Sequence, residues 1–399
     1  MVAVIGVACL QPLDRTPYLS AGYHRETWGR WEVTRSAMKA TTGRVKAGWE
    51  RVRLTPTVGV DEDAGAGRFR QVPLAGYGAR KGRPAEPGGE EVWVKALVVE
   101  AGGKRVAWVA LDALIVPWEV AEAACRELAE NPGLRREEIY LGATHTHSSL
   151  GGWGEGIVPE MFAGPYQPGV RTWMTRCIVA AVRGAAGKVS EATLATGDFA
   201  APEWIRNRLV GDAGRVDEAF PWMAARKRDG TMAVIGVFGA HATLLGADNM
   251  RFDRDYPGAW ASGIEATPGR MAMFMAGAVG SQSGRGGGAS GRDRVRTMGE
   301  ALAARTLESM ERASFSGSIE LGAAGVELTL PSLHLRVTEE LRLRPWLSRH
   351  VLPVRPTTFL QTARVGGMVW LSMPCDFSGE IRSEEHTSEL QSRQYLVCR

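Results

Sequence analysis

Residues 139–148 read IYLGATHTHS, an apolar run from Ile139 to Ala143 that passes straight into Thr144-His145-Thr146-His147-Ser148. The run predicts a strand. Outward from it the pattern repeats. Upstream, Trp93–Val99 and Val106–Leu111 predict two strands joined by a turn at Ala101-Gly102-Gly103. Val116–Glu130 then carries Val120, Ala123, Ala124 and Leu128 at helical spacing and stops at Asn131-Pro132-Gly133. Downstream, Arg171–Arg183 predicts a helix, and Ala233–Gly239 a buried strand that ends on Ala240-His241. Pro257 suits the first turn of a helix through Trp260, Ile264 and Glu265. Met271–Ala276 leads into a Gly-rich loop, Gly277–Gly291, and Met298–Arg312 returns to helix. Met368–Met373 is a strand ending on Pro374-Cys375-Asp376. Strands alternating with amphipathic helices from Lys46 to Ile381 predict an α/β fold, a mixed β-sheet core flanked by helices in one domain.

Three of these strands end on metal-ligand chemistry: His145 and His147, then His241, then Asp376. In α/β sheets, residues at strand ends face the functional crevice, so groups far apart in sequence converge there. An extended backbone sends the side chains of His145 and His147 to the same side. Two imidazoles and a carboxylate suit zinc and leave a coordination position for water, whose pKa falls toward about 7. The bland alternative is a histidine that merely bonds a neighbouring backbone group.

The 399 residues, 44% hydrophobic and 23% charged, describe a globular chain and exclude disorder or a collagen-like repeat. No apolar run approaches the roughly 20 residues a spanning helix needs. The 48 basic residues against 44 acidic give +4, and the arginines are scattered along the chain, which argues against a nucleic-acid partner. Cys9, Cys125, Cys177, Cys375 and Cys398 show no CxxC pairing, so neither a disulfide framework nor a thiolate metal site is indicated.

The two ends differ from the middle. Val2–Leu10 (VAVIGVACL) reads as the remnant of an export signal, which points to a periplasmic, cell-surface or secreted location, or else as a frayed N-terminus. Residues 1–45 are thus set apart as an N-terminal extension. Arg382–Ser392 (RSEEHTSELQS) resembles the in-frame translation of a sequencing-library adapter, which makes 382–399 an artefact and the 46–381 domain incomplete.

Several segments together resemble the N-terminal catalytic domain of the neutral/alkaline, non-lysosomal ceramidases: Thr55-Pro56, Pro73-Leu74-Ala75-Gly76-Tyr77, Leu111-Asp112, Gly142–Ser148, Asn207-Arg208, Ala240–Thr243, Asp255–Gly258 and Gly280–Ser283. They keep the family's order over roughly 46–381. The resemblance implies a zinc-dependent hydrolase of linear amides acting on ceramide or a related N-acyl lipid, at a membrane surface. It makes His145, His241 and Asp376 the zinc ligands, with Asp376 standing where the family has glutamate and Glu380 as the fallback. It makes His147 an acid/base or transition-state stabiliser, places Arg208 near the scissile amide, and gives Ser283 a substrate-positioning role. Gly280-Ser281-Gln282-Ser283-Gly284 departs from the family's Gly-Asp-Val-Ser-Pro, and a family tyrosine ligand and immunoglobulin-like domain lie beyond the end of this sequence.

Two rivals are set beside this reading. An amidohydrolase barrel also uses His-x-His, but near its first strand and with further strand-end histidines that His334 and His350 do not supply. A zinc-binding relative that holds a lipid or glycan without turnover is the non-enzymatic alternative. A phosphate cradle at Gly277–Gly291 lacks the following Gly-Lys-Ser/Thr.

Overall fold

A computed structural model describes residues 9–333, 335–352, 354–385 and 393–398; His334 and His386 lie outside them. Its centre is an eight-stranded mixed sheet. The strand order is Arg270–Ala276, Met232–Phe238, Ala219–Lys227, Ser190–Ala200, Lys46–Arg53, Trp93–Ala101, Lys104–Leu111, Ile139–Ala143. Only the two outermost pairs are parallel. This is a mixed sheet flanked by helices, and it excludes a (β/α)8 barrel.

Ile139–Ala143 and Met232–Phe238 are buried on both faces, which is why they read as unbroken apolar runs, whereas Lys46–Arg53 and Ser190–Ala200 are partly exposed and mix in polar residues. Val94, Ala96 and Val98 face the helices Trp118–Glu130 and Pro168–Gly187, while Leu97, Val99 and Ala101 face the opposite side. Met232, Val234 and Phe238 likewise pack with the helices Asp255–Glu265 and Gly291–Glu311, and Ala233, Ile235 and Val237 turn inward. The period of two in side-chain direction produces this partition. The inward face is covered by a second sheet containing Ser318–Thr329, Thr357–Val365 and Met368–Met373, through Leu321, Ala363, Val365 and Trp370. Thr41–Arg44, at the end of the segment set apart on sequence, pairs with Ser318–Leu321 in this second sheet.

Tyr140 from one edge strand and Met271, Met273 and Met275 from the other share that inner core. The sheet therefore curls until its edges approach. The consequence for the site is direct, because the strand before His145 lies at one edge and the strand before His241 lies next to the other.

The turn at Gly102-Gly103 has φ of 56° and 77°, the left-handed pair a two-residue hairpin requires. Two predicted helices prove longer than their apolar pattern: Pro168–Gly187 where the spacing marks 171–183, and Gly291–Glu311, whose first turn is capped by Ser290 accepting from the Asp293 N–H. The Gly-rich stretch after Ala276 contains a short strand, Gln282–Gly284, paired with Ile205–Asn207. Among the described residues no helix is long and apolar enough to cross a membrane, and Cys9, Cys125, Cys177 and Cys375 are free thiols.

Candidate functional site

The curl of the sheet brings three histidines together. His145, His147 and His241 each offer a ring nitrogen, and these atoms all lie within 4.8 Å of one another. The Nε2 atoms of His145 and His241 are 3.0 Å apart. The ring of His147 sits 5.2 Å from that of His145 and 5.6 Å from that of His241, centroid to centroid.

Each ring is oriented by a backbone carbonyl at Nδ1. His145 faces the Leu114 carbonyl at 2.9 Å, His147 the Gly76 carbonyl at 3.1 Å, and His241 the Val279 carbonyl at 2.7 Å. A carbonyl only accepts, so each Nδ1 carries the proton and each Nε2 keeps its lone pair. The 3.0 Å approach of two such lone pairs is repulsive unless a cation lies between them. The His147 Nε2 is buried and has no hydrogen-bond partner. Three ring nitrogens grouped together, each ring fixed from behind by a carbonyl, match the donor set and outer hydrogen bonding of a metal site, so the residues present fit a metal ion.

Electrostatics point the same way. Burial, followed by the charge of its histidine neighbours, pushes the pKa of His147 down to about 2. Burial, then His145 and Arg208, pushes His241 down to about 4, and burial lowers His145 as well. All three are neutral imidazoles at physiological pH, the form that coordinates metal.

The route by which His145 and His147 meet differs from the sequence expectation. The extended i, i+2 geometry does not hold, since His145 has φ of 60° in the left-handed region. A non-glycine residue there is strained by about 1–3 kcal/mol and is held by its surroundings. Here the Leu114 carbonyl and the His241 ring do the holding.

The remaining sequence candidates surround this cluster. Asp376 Oδ2 lies 3.7 Å from His145 Nε2, on a carboxylate whose side chain is 43% exposed. Glu380 is engaged elsewhere: it accepts from Asn207 Nδ2 at 2.6 Å and from the Ser378 hydroxyl at 3.1 Å. Arg208 donates from Nε to the Gly280 carbonyl and places Nη1 3.4 Å from His241 Nε2. An exposed arginine held in this way is no merely solvated side chain. Ser283 forms a bridge with His241 and accepts from Arg206 Nε at 3.2 Å.

Some supporting residues carry no sequence signal of their role. The buried Arg80 donates to the carbonyls of Ala75, His147, Ala247 and Asn249, fastening the Gly76 loop to the His147 loop. Tyr77 lies 4.9 Å from the His147 ring and donates its hydroxyl to the Leu245 carbonyl. Gln282 fixes the turn beneath His241 by donating to the Gly239 and Ala278 carbonyls. Tyr77 and Gln282 fall within the Pro73–Tyr77 and Gly280–Ser283 motifs, whereas nothing in the sequence marked Arg80.

The family model described as neutral/alkaline non-lysosomal ceramidase, N-terminal, matches residues 57–284. Among solved structures, the chain is similar to a neutral ceramidase from Pseudomonas aeruginosa, with a TM-score of 0.72 and 17% identity over 89% of this chain and 67% of that one. It is equally similar to a ceramidase complexed with C2, with a TM-score of 0.71 and 17% identity over 89% and 68% of the two chains. No curated protein sequence matches the chain.

Proposed function

The chain belongs to the neutral/alkaline non-lysosomal ceramidase family, and from that premise we propose that it hydrolyses the amide bond of an N-acyl lipid, ceramide or a close relative, with the help of a zinc ion. The observation that carries the proposal is the convergence of three neutral imidazoles on one point. His145 and His241 would hold the metal through Nε2, with Asp376 as the carboxylate ligand. Bound there, zinc supplies a Lewis acid and lowers the pKa of a coordinated water.

The chain's own residues account for the rest of the reaction. Water adds to the acyl carbon, the C–N bond breaks, and the products are a fatty acid and an amine that has gained a proton. Arg208, held by the Gly280 carbonyl, directs its guanidinium toward the cluster, where it stabilises the developing oxyanion. Ser283 orients the substrate beside Arg206. His147 Nε2, buried and unpartnered, takes the proton from water and delivers it to the leaving nitrogen. The substrate is met at a lipid surface, and the reading keeps the exported location expected from Val2–Leu10.

The depressed basicity of His147 favours a second assignment for that residue, a third nitrogen ligand. His147→Gln separates the two: retained zinc with lost turnover supports the proton carrier, and lost zinc supports the ligand. The proposal as a whole is tested by fatty-acid release from a fluorogenic ceramide by zinc-loaded protein. Stoichiometric zinc with no hydrolysis across a range of N-acyl substrates would instead identify a non-catalytic lipid- or glycan-binding relative.

A further inference from the structure

Beside the histidine cluster, the Ile205–Asn207 strand and the residue after it present two guanidinium groups in a row. Ile205 and Asn207 are buried, whereas Arg206 and Arg208 are exposed, so the alternation of the strand puts both arginines on one face. Arg206 stands opposite Ser283 in the pairing with Gln282–Gly284 and donates to its hydroxyl at 3.2 Å. Ser283 in turn bridges to His241, and Arg208 Nη1 lies 3.4 Å from the His241 ring. Both arginines therefore line the wall that carries His241.

Neither arginine has a carboxylate partner among the described residues; their bonds go to a hydroxyl, a carbonyl and an imidazole. The neighbouring arginines are matched, Arg285 with Asp212, Arg305 with Glu203 and Arg292 with Asp253. The carboxylate closest to the cluster, Asp376, is directed at His145. Among the described residues Arg206 thus keeps most of its donor fork unengaged, and a guanidinium fork is matched by a carboxylate or phosphate.

We propose that Arg206, with Ser283, forms an anion subsite that selects N-acyl substrates bearing a negative charge on the amine side, N-acyl amino acids being the simplest class. The inference rests on the amidase reading of the same site. Two residues along a strand separate Arg206 from Arg208 by about 6–7 Å, which suits an amide oxygen at one guanidinium and a carboxylate a bond or two beyond the amide nitrogen at the other.

The test compares N-dodecanoylglycine with N-dodecanoylethanolamine, equal in chain length and different in charge, in wild type and Arg206→Gln. Binding is read by calorimetry and turnover by dodecanoate release. Wild type is expected to bind the glycine conjugate about tenfold or more tightly than the ethanolamide, in line with a charge-assisted bond, and the ratio is expected to fall toward one in Arg206→Gln and partly recover in Arg206→Lys. Equal binding of the two ligands by wild type, or a preference unchanged in Arg206→Gln, overturns the subsite. Efficient hydrolysis of both without discrimination leaves the amidase reading intact while refuting the subsite. A charge preference in binding with hydrolysis of neither refutes the amidase reading and leaves the subsite standing.

Discussion

Substitution of Gly76 by alanine reaches the proposed chemistry without removing any functional group. Gly76 has φ of +114°, which an L-residue adopts only under strain, and an added methyl would lie 2.6 Å from Cβ, Cγ and Nδ1 of His147. Ordinary contact begins near 3.4 Å, so the imidazole must retreat by roughly 1 Å, or the Gly76 carbonyl that orients its Nδ1 must swing away. The backbone strain costs about 1–3 kcal/mol of stability. A displacement of about 1 Å in a positioned catalytic group costs on the order of 100-fold in rate. The expected result is a folded protein, somewhat less stable to urea, that retains zinc on His145 and His241 and hydrolyses a fluorogenic ceramide about 100-fold more slowly. Wild-type turnover in Gly76→Ala would refute the claim that the Gly76–His147 contact sets the position of the third imidazole.

Other perturbations test the scaffold. Arg80→Lys cannot satisfy the four carbonyls the guanidinium serves, so a loss of about 2–4 kcal/mol in urea unfolding is expected, together with reduced turnover because the His147 loop is released. Lys95 is buried, with Nζ 2.6 Å from Glu265 and 2.7 Å from the Ala272 carbonyl; Lys95→Ala leaves Glu265 with only the Ala272 N–H and Arg51 at 3.8 Å, and should destabilise by about 3 kcal/mol. Burial raises the pKa of Asp255 to about 7 from 3.8. A carboxyl with a raised folded pKa contributes stability that is present below about pH 4 and lost as pH climbs through about 7, at up to about 1.4 kcal/mol per pH unit. Unfolding titrations of wild type and Asp255→Asn between pH 4 and 7 should therefore differ in slope, with the wild type losing more as pH rises.

The central strands were legible because burial on both faces leaves an apolar run with little to confuse it, as in Ile139–Ala143 and Met232–Phe238. The three clustered histidines were legible as a candidate site because His145, His147 and His241 follow such runs closely. What was not legible has physical reasons. Ser190–Ala200 is built of small and polar residues, and its place in the sheet comes from pairing with Ala219–Lys227 and not from its own pattern. The left-handed backbone of His145 has no glycine to announce it and depends on a contact 31 residues away. The carbonyls of Leu114, Gly76 and Val279 that fix the imidazole tautomers belong to the backbone, so the residue types at those positions say nothing of the task. Arg206 looked like any other surface arginine until the strand pairing put it opposite Ser283.

The central claim is that the three-histidine point is a zinc site. Metal content after exhaustive dialysis, determined for wild type, His145→Ala and His241→Ala alongside circular dichroism and ceramide turnover, tests it most directly. The account predicts one zinc per wild-type chain, bound through imidazole nitrogen, and loss of both zinc and turnover in each variant while the secondary structure persists. Wild-type protein that turns over ceramide without retained metal, or a His241→Ala variant that keeps its zinc, would contradict it.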